Sequence, residues 1–185
     1  MPRLFVGVPV DPACRDALAR LTAWLAERAG EGVRWTRPEN FHLTFQFLGE
    51  TPQDRIAPVA EALAAIRFAP FTLRPGPMDC LPHCRRPRVL HLTLARGGPD
   101  CAALAARVRT AMDPFGYPRG STFTPHLTLG RVKRPGPIDP QALAASPGGL
   151  PAFLVDRFIL WQSELTPAGP IHTAVREMPA TDAAS

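Results

Sequence analysis

The chain has 185 residues, of which 45% are hydrophobic and 20% are charged, an ordinary balance for one globular domain. Its net charge of +5 suits an anionic partner such as a nucleotide or RNA. No apolar run reaches the ~18 residues of a membrane helix and no secretory signal is visible, so a membrane protein is excluded and a cytoplasmic location is expected.

Strands and helices alternate along the chain. In the first half, apolar and β-branched runs predict strands at 3–10, 33–35 and 41–48, and helical spacing predicts helices at 12–29 and 52–68. The second half repeats this order, with strands at 89–95, 123–132, 154–163 and 171–177 and helices at 99–115 and 140–145. The offset of about 85 residues indicates a duplicated unit: one bilobal domain at 1–178, with halves near 1–85 and 86–178 and a flexible tail at 179–185.

One four-residue string occurs in both halves with similar flanks. It reads His42-Leu43-Thr44-Phe45 in the first half and His126-Leu127-Thr128-Leu129 in the second, with the histidines 84 positions apart. Because side chains alternate along a strand, the His and the Thr of each copy share one face. Two such strands, related by an approximate two-fold axis, would place two imidazoles and two hydroxyls around one pocket.

These side chains suit acid-base chemistry on a phosphodiester. One imidazole can take a proton from water, the other can protonate a departing ribose oxygen, and the hydroxyls can donate to the phosphate. No carboxylate or cysteine near the two histidines completes a metal site, and no Gly-x-Ser-x-Gly nucleophile motif occurs. The pattern therefore predicts catalysis without metal or cofactor.

Two further groups of residues have weaker patterns. The string that begins at His91 lies on the strand corresponding to 4–8, so His91 is expected to be structural and its replacement by alanine to be mild. The four cysteines are expected to be free thiols in a chain of this kind. Cys80, His83, Cys84 and His91 could be metal ligands, but a zinc site usually needs a second well-spaced pair.

With these motifs and flanks, the chain resembles the 2H phosphoesterases, and among them the RNA 2′,3′-cyclic phosphodiesterases, also called 2′-5′ RNA ligases (LigT/ThpR-like proteins). The matching stretches are RLFVGVPV, RWTRPENFHLTFQFLGE, PRVLHLTL, TFTPHLTLGRVKR and SELTPAGPIHTAV. The resemblance implies an α+β, bilobal LigT-like fold, in which two pseudo-symmetric lobes have antiparallel sheets lining a central groove and helices packed outside.

The resemblance also implies roles for five residues. His42 and His126 would be the catalytic pair, with His126 as base and His42 as acid. Thr44 and Thr128 would bind the substrate phosphate, together with Arg131.

At three positions the resemblance is less direct. Strict alternation places Arg131 on the face opposite His126, so Arg131 reaches the phosphate only if Gly130 bends or bulges the strand. His91 stands where relatives usually have an aromatic residue, often Trp, and His172 stands where they often have Tyr. Both departures are expected to change how the groove holds a base and to leave the core motif untouched.

The chain is therefore expected to be a monomeric, metal-independent cyclic phosphodiesterase. It would open the terminal 2′,3′-cyclic phosphate of an RNA or oligonucleotide to a 2′-phosphate, and a 5′-hydroxyl in place of water would give reversible 2′-5′ ligation. Two alternatives stay open: a related 2H enzyme acting on a small cyclic nucleotide or a 2′-5′ oligonucleotide, and a non-enzymatic RNA or nucleotide binder.

Overall fold

The computed structural model describes residues 1–29, 32–118, 123–133, 149–167 and 169–181. Strands in these ranges are β1 (Arg3–Pro9), β2 (Val33–Trp35), β3 (His42–Glu50), β4 (Phe71–Leu81), β5 (Val89–Arg96), β6 (Leu127–Val132), β7 (Phe153–Val155), β8 (Arg157–Thr166) and β9 (Gly169–Pro179). The α-helices there are α1 (Pro12–Ala29), α2 (Gln53–Ala64) and α3 (Gly98–Met112). Short 3-10 helices lie at Pro38–Asn40 and Asp113–Phe115.

The strands form two antiparallel sheets with matching topology. The first sheet has the order β3-β1-β8-β9 and the second has the order β2-β6-β5-β4-β7. Without β2, the two orders correspond strand by strand, so that β3 matches β6 and β1 matches β5. The fold is therefore α+β with two pseudo-symmetric lobes, as the sequence predicts.

The two sheets nevertheless do not coincide with the two halves of the sequence. Strands β8 and β9, from the second half, complete the sheet that contains β1 and β3. Strands β2 and β4, from the first half, belong to the sheet that contains β5 and β6. Each lobe is thus built from both halves of the sequence. The expected division near residue 85 therefore does not separate the two sheets.

One apolar core joins the helices to the inner faces of both sheets. Alternation along β3 and β6 directs one set of side chains into this core and the other set to the opposite face. The core members from α1, α2 and α3 follow helical spacing: Leu18, Leu21, Leu25, Val59, Leu63, Leu104, Val108 and Met112. The motif residues therefore lie on the sheet faces that the helices leave uncovered.

Several elements differ from the sequence expectation. Strand β4 was not predicted, because Pro75, Gly76 and Pro77 give its middle the composition of a loop. Helix α2 ends at Ala64, and β6 begins only at Leu127. The helix expected at 140–145 lies outside the described residues. No helix in the described ranges is both long and apolar enough to cross a membrane.

The C-terminal residues are better anchored than expected for a tail that begins at 179. The amide of Ala180 donates to the Asp156 carbonyl at 2.6 Å, and the amide of Thr181 donates to the Phe68 carbonyl at 2.9 Å. Strand β9 itself runs to Pro179. Residues 179–181 therefore belong to the folded body, and residues 182–185 lie outside the described part of the chain.

The cysteines also differ from expectation. Cys80 and Cys84 form a disulfide, so the prediction of four free thiols is wrong for this pair, and neither sulfur is a free metal ligand. Cys14 and Cys101 are free and buried. Burial raises the pKa of both thiols to about 12, which keeps them protonated and unreactive.

Candidate active site

The two His-x-Thr motifs occupy equivalent positions at the edges of the groove. His42 is the first residue of β3, and His126 immediately precedes β6. In the strand registers, Thr44 lies opposite Gly7 on β1, and Thr128 lies opposite His91 on β5. The histidines of the two motifs are separated by 84 residues, and so are the threonines. The structure thus brings the predicted motif residues into a symmetric arrangement.

The same hydrogen bond orients both motif histidines. Nδ1 of His42 lies 2.8 Å from the Asn40 carbonyl oxygen, and Nδ1 of His126 lies 2.8 Å from the Thr124 carbonyl oxygen. A carbonyl oxygen can only accept, so Nδ1 carries the proton in each ring. In the neutral state, Nε2 of both rings is therefore the nitrogen with a free lone pair.

The residue that holds His42 is itself tied to β9, the far edge strand of the same sheet. Asn40 ends the short 3-10 helix and is buried. Its side-chain Nδ2 donates to the Pro170 carbonyl on β9 at 2.8 Å. Sequence reasoning did not single out Asn40, because its partner lies 130 residues away along the chain.

Both motif strands contain a β-bulge at the same place. On β3, Thr44 and Gln46 face the consecutive β1 residues Gly7 and Val6, so one extra residue lies between them. On β6, Thr128 and Gly130 face the consecutive β5 residues His91 and Leu90 in the same way. A bulge of this kind shifts the alternation of side chains by one residue.

The bulge decides where Arg131 lies. Arg131 and Thr128 are three residues apart, but their β5 partners, Val89 and His91, are two apart and share a face. Arg131 therefore shares the groove face with Thr128. This bulge is the condition under which the sequence predicts that Arg131 reaches the phosphate. At the equivalent position of the first sheet stands Phe47, which is 62% exposed.

Strand β2 extends the second sheet beside Arg131. Its residue Arg34 pairs with Arg131 in register, and both side chains are exposed. No ion pair in the described part of the chain involves either arginine. Two cations directly opposite each other repel, which is unfavourable for the isolated sheet and favourable for an anionic ligand. Arg34 was missed by sequence reasoning, because a three-residue strand gives no sign of its partner.

Gly130 allows β2 to approach β6 this closely. A Cβ atom at Gly130 would lie 2.8 Å from Val33 Cγ1 and 3.1 Å from the ring of Trp35. Thr36, just after β2, donates its amide to the Leu129 carbonyl at 2.8 Å and its hydroxyl to the Thr128 carbonyl at 3.1 Å. These bonds satisfy carbonyl groups at the bulge and fix the strand that carries Arg34.

The environment of His42 favours its neutral form. Burial lowers the pKa of His42 from 6.5 to about 4, an effect that the Asn40 carbonyl opposes and that positive charge on His172, Arg131 and His126 increases. His42 belongs to the first sheet, whereas Arg131 and His126 belong to the second. Their electrostatic interaction means that the motif faces of both sheets line one groove.

Aromatic rings surround His42 on the first sheet. Its ring centroid lies 4.7 Å from that of Phe5 and 5.6 Å from that of Trp161. Phe5 also stacks on Trp161 at 5.1 Å, and its side chain is buried beneath the groove. Trp161 reaches the site only through the pairing of β8 with β1, which no local sequence pattern reveals.

Two further histidines contact the motif pair, contrary to expectation. The ring centroids of His91 and His126 are 5.1 Å apart, and those of His172 and His42 are 5.3 Å apart. The expectation that these two departures leave the core motif untouched is therefore wrong. In the described residues, no group of three or more His, Cys, Asp or Glu side chains is arranged to hold a metal ion.

The sequence has relatives over almost its whole length. It matches the model of the LigT-like phosphoesterases over residues 8–76 and 98–172. It is 35% identical over 176 residues to the RNA 2′,3′-cyclic phosphodiesterase of Archaeoglobus fulgidus, covering 94% of this chain and 98% of that protein. It is 30% identical to the protein of the same name from Thermotoga maritima, covering 95% and 94%.

Solved structures agree with this relationship. A protein of Thermus thermophilus superposes with a TM-score of 0.80 at 30% identity, covering 97% of this chain and 98% of that one. Escherichia coli LigT in complex with 3′-AMP has the same fold, with a TM-score of 0.81 at 24% identity, covering 98% and 100%. From its motifs, its paired sheets and these relatives, the chain belongs to the LigT-like phosphoesterase family.

Proposed function

We propose that this protein hydrolyses the 2′,3′-cyclic phosphate end of RNA to a 2′-phosphate by acid-base catalysis between His42 and His126. The observation that carries the proposal is the matched pair of Nδ1 hydrogen bonds, which leaves Nε2 of each ring free for proton transfer. The names of the relatives from Archaeoglobus and Thermotoga support the same substrate.

The proposed reaction transfers one proton at each histidine. Nε2 of the neutral ring takes a proton from water as the water oxygen bonds to phosphorus. Nε2 of the protonated ring gives its proton to the ribose 3′ oxygen as the 3′ oxygen–phosphorus bond breaks. The products are a 2′-phosphate and a 3′-hydroxyl. A 5′-hydroxyl in place of water would give a 2′-5′ linkage by the same steps.

By family resemblance, His126 is the base and His42 the acid. The lowered pKa of His42 means that this ring is mostly neutral at neutral pH in the unliganded protein. An anionic phosphate bound between the rings stabilises the imidazolium form. In this account, substrate binding itself supplies the charge that lets His42 hold the proton it donates.

Three polar side chains are proposed to bind the phosphate. The hydroxyls of Thr44 and Thr128 have no protein hydrogen-bond partner in the described residues, so they are free to donate to non-bridging oxygens. The bulge brings Arg131 to the same face as Thr128. Charge-assisted hydrogen bonds of this kind stabilise the extra negative charge of the transition state.

The difference between the two walls supports one orientation of the substrate. Phe47 and Arg131 occupy equivalent positions, so the pseudo-symmetric groove has an exposed aromatic ring on one side and a guanidinium on the other. We infer that the terminal nucleobase stacks on Phe47 and that the RNA backbone follows Arg131 and Arg34. All of these residues come from one chain, so the active unit is proposed to be a monomer.

Product analysis tests the proposal. An RNA oligonucleotide with a 2′,3′-cyclic phosphate end, incubated with the protein and EDTA, should yield a 2′-phosphate, identified by its resistance to an enzyme specific for 3′-phosphates. For His→Asn variants of the motif histidines, His83→Asn is the matched control, because His83 is exposed on the loop between β4 and β5. A 3′-phosphate product would contradict the proposed leaving group. Cleavage only of a mononucleoside cyclic phosphate, and not of RNA, would support the small-nucleotide alternative.

A further inference from the structure

Four of the five histidines of this chain meet in the groove. Besides the motif pair, His172 packs against His42 with ring planes at 89°, and His91 packs against His126 with ring planes at 70°. Both centroid separations lie between 5.1 and 5.3 Å, within the range of edge-to-face contacts. Each motif histidine thus has a second histidine as its neighbour.

The two neighbours come from strands that are not equivalent. His91 lies on β5, and the matching position on β1 is Gly7. A Cβ atom at Gly7 would lie 2.2 Å from the Leu43 carbonyl oxygen, so no side chain fits there. In the first lobe the neighbour is instead His172 on β9, opposite Ser163 of β8. Duplication alone therefore does not account for a histidine beside each motif ring.

These two rings are not ordinary core residues. His91 is only 3% exposed. Nδ1 of His91 and Nδ1 of His172 are both buried without a hydrogen-bond partner in the described residues. A buried polar atom without a partner is unfavourable for folding, and aromatic residues that lack this polar atom could fill the same space. Core packing alone therefore does not account for an imidazole at either place.

The electrostatics of the two contacts are similar. Burial lowers the pKa of His91, positive charge on His126 lowers it further, and Asp79, which faces His91 from β4, raises it. Burial likewise lowers the pKa of His172. At this second contact the effect of charge falls on the motif ring, because positive charge on His172 lowers the pKa of His42.

For His42, every charged neighbour acts in the same direction. The titratable and charged groups that face it are His172 from β9, Arg131 from β6 and His126 just before β6. All three oppose its protonation, and no carboxylate in the described residues balances them.

We propose that His91 and His172 are positioning residues of the reaction, and that each fixes the plane of one motif imidazole through direct ring contact. The inference rests on the proposed function. In the empty groove, burial and the positive charge of His172 together keep His42 neutral. A bound anionic phosphate relieves the repulsion and allows one motif ring to become the acid. His91 is thus a participant in the site and not the structural residue that the sequence suggested.

NMR titration of the imidazoles in the unliganded protein tests the contact between His172 and His42. His172→Phe keeps a ring of similar shape and removes the titrating group. The pKa of His42 should rise above about 4 in this variant, with burial still holding it below 6.5, and it should stay at its wild-type value in the control His83→Phe. A pKa of His42 that is the same in His172→Phe and in wild type would overturn the inference. This measurement needs no substrate, so its result stands even if the proposed function fails.

Kinetics on cyclic-phosphate RNA test the contact between His91 and His126. His91→Ala should lower kcat at least about tenfold with little change in KM, because the motif ring loses the surface that orients it. His91→Phe should recover most of this loss at its own optimal pH, and the pH dependence of its kcat should differ from wild type. The inference would be overturned by wild-type kcat in His91→Ala. It would also be overturned by an equal loss in both variants with an unchanged pH profile.

Discussion

At the scale of single residues, the proposed chemistry depends on which atoms have no partner among the described residues. Nδ1 of each motif histidine is occupied by a carbonyl two residues earlier, and this leaves Nε2 for the substrate. The hydroxyls of Thr44 and Thr128 are likewise free in the described structure. Burial of His42 adds a second effect, because its pKa falls to about 4 in the empty groove.

The threonines provide a test at this scale. Thr44→Val and Thr128→Val keep the β-branched shape and remove a donor to a charged phosphate. Each should lower kcat/KM by about 10-fold to 150-fold, which corresponds to about 1.5–3 kcal/mol. The matched control is Thr93→Val, because the Thr93 hydroxyl donates to the Pro77 carbonyl at 3.0 Å, within the second sheet. Steady-state kinetics that found all three variants alike would remove the hydroxyls from the phosphate site.

At the scale of strands, the two equivalent bulges determine which side chains reach the groove. Without the extra residue on β6, Arg131 would point to the core face. The same geometry brings Phe47 to the groove on β3. Close approach of neighbouring strands requires glycine at Gly7 beside β3 and at Gly130 beside β2.

Gly7 offers a sharp test of this strand geometry. In Gly7→Ala the new methyl group would lie 2.2 Å from the Leu43 carbonyl oxygen, and backbone must move to relieve the clash. The free energy of unfolding should fall by about 2–4 kcal/mol, measured by urea denaturation. Gly98→Ala is the control, since no heavy atom lies within 4 Å of its Cβ position. Equal stability of the two variants would show that β1 and β3 are not this close.

The arginines of β2 and β6 lead to a prediction about substrate length. Arg34→Gln should leave kcat/KM for a mononucleoside 2′,3′-cyclic phosphate unchanged and lower it for an oligonucleotide. The salt dependence for the oligonucleotide should weaken by about 0.7 in the slope of log kcat/KM against log salt, as expected for one lost phosphate contact. Arg131→Gln should lower kcat/KM for both substrates. Arg20→Gln, on the exposed face of α1, should change neither. An Arg34 effect that is equal on both substrates would contradict the proposed backbone path.

At the scale of the whole molecule, the sequence predicted the fold class and the matching positions of the two motifs better than the strand connections around them. The repeated His-x-Thr strings and the fold class follow from local pattern and from resemblance. The contacts of His172 and Trp161 with His42 do not, because they depend on the pairing of β8 and β9 with β1. Strand β4 was not predicted, because the prolines in its middle are typical of a loop. The exchange of strands between lobes is likewise a property of long-range pairing, which alternation within a segment does not encode.

The buried imidazoles also affect the stability of the whole protein. The pKa values of His42, His91 and His172 are lower in the folded protein than in the unfolded chain. Below pH 6.5 the unfolded chain therefore binds more protons, and the free energy of unfolding should fall as the pH decreases from about 7 to about 5. His42→Gln should reduce this fall, because it removes one of the groups with a lowered pKa. Denaturant unfolding at the two pH values measures this change in the free energy of unfolding. A free energy of unfolding that rises on acidification would contradict these pKa shifts.

The central claim is that two histidines of one chain act as a unit without a metal ion. Single-turnover hydrolysis of an RNA 2′,3′-cyclic phosphate end, in EDTA, tests it most directly in wild type, His42→Asn, His126→Asn and the double variant. Each single change should slow the reaction by about 10²-fold to 10⁴-fold, and the double variant should be little slower than the worse single one. The claim would be contradicted by a single variant within tenfold of wild type, or by wild-type activity that EDTA abolishes and a divalent ion restores.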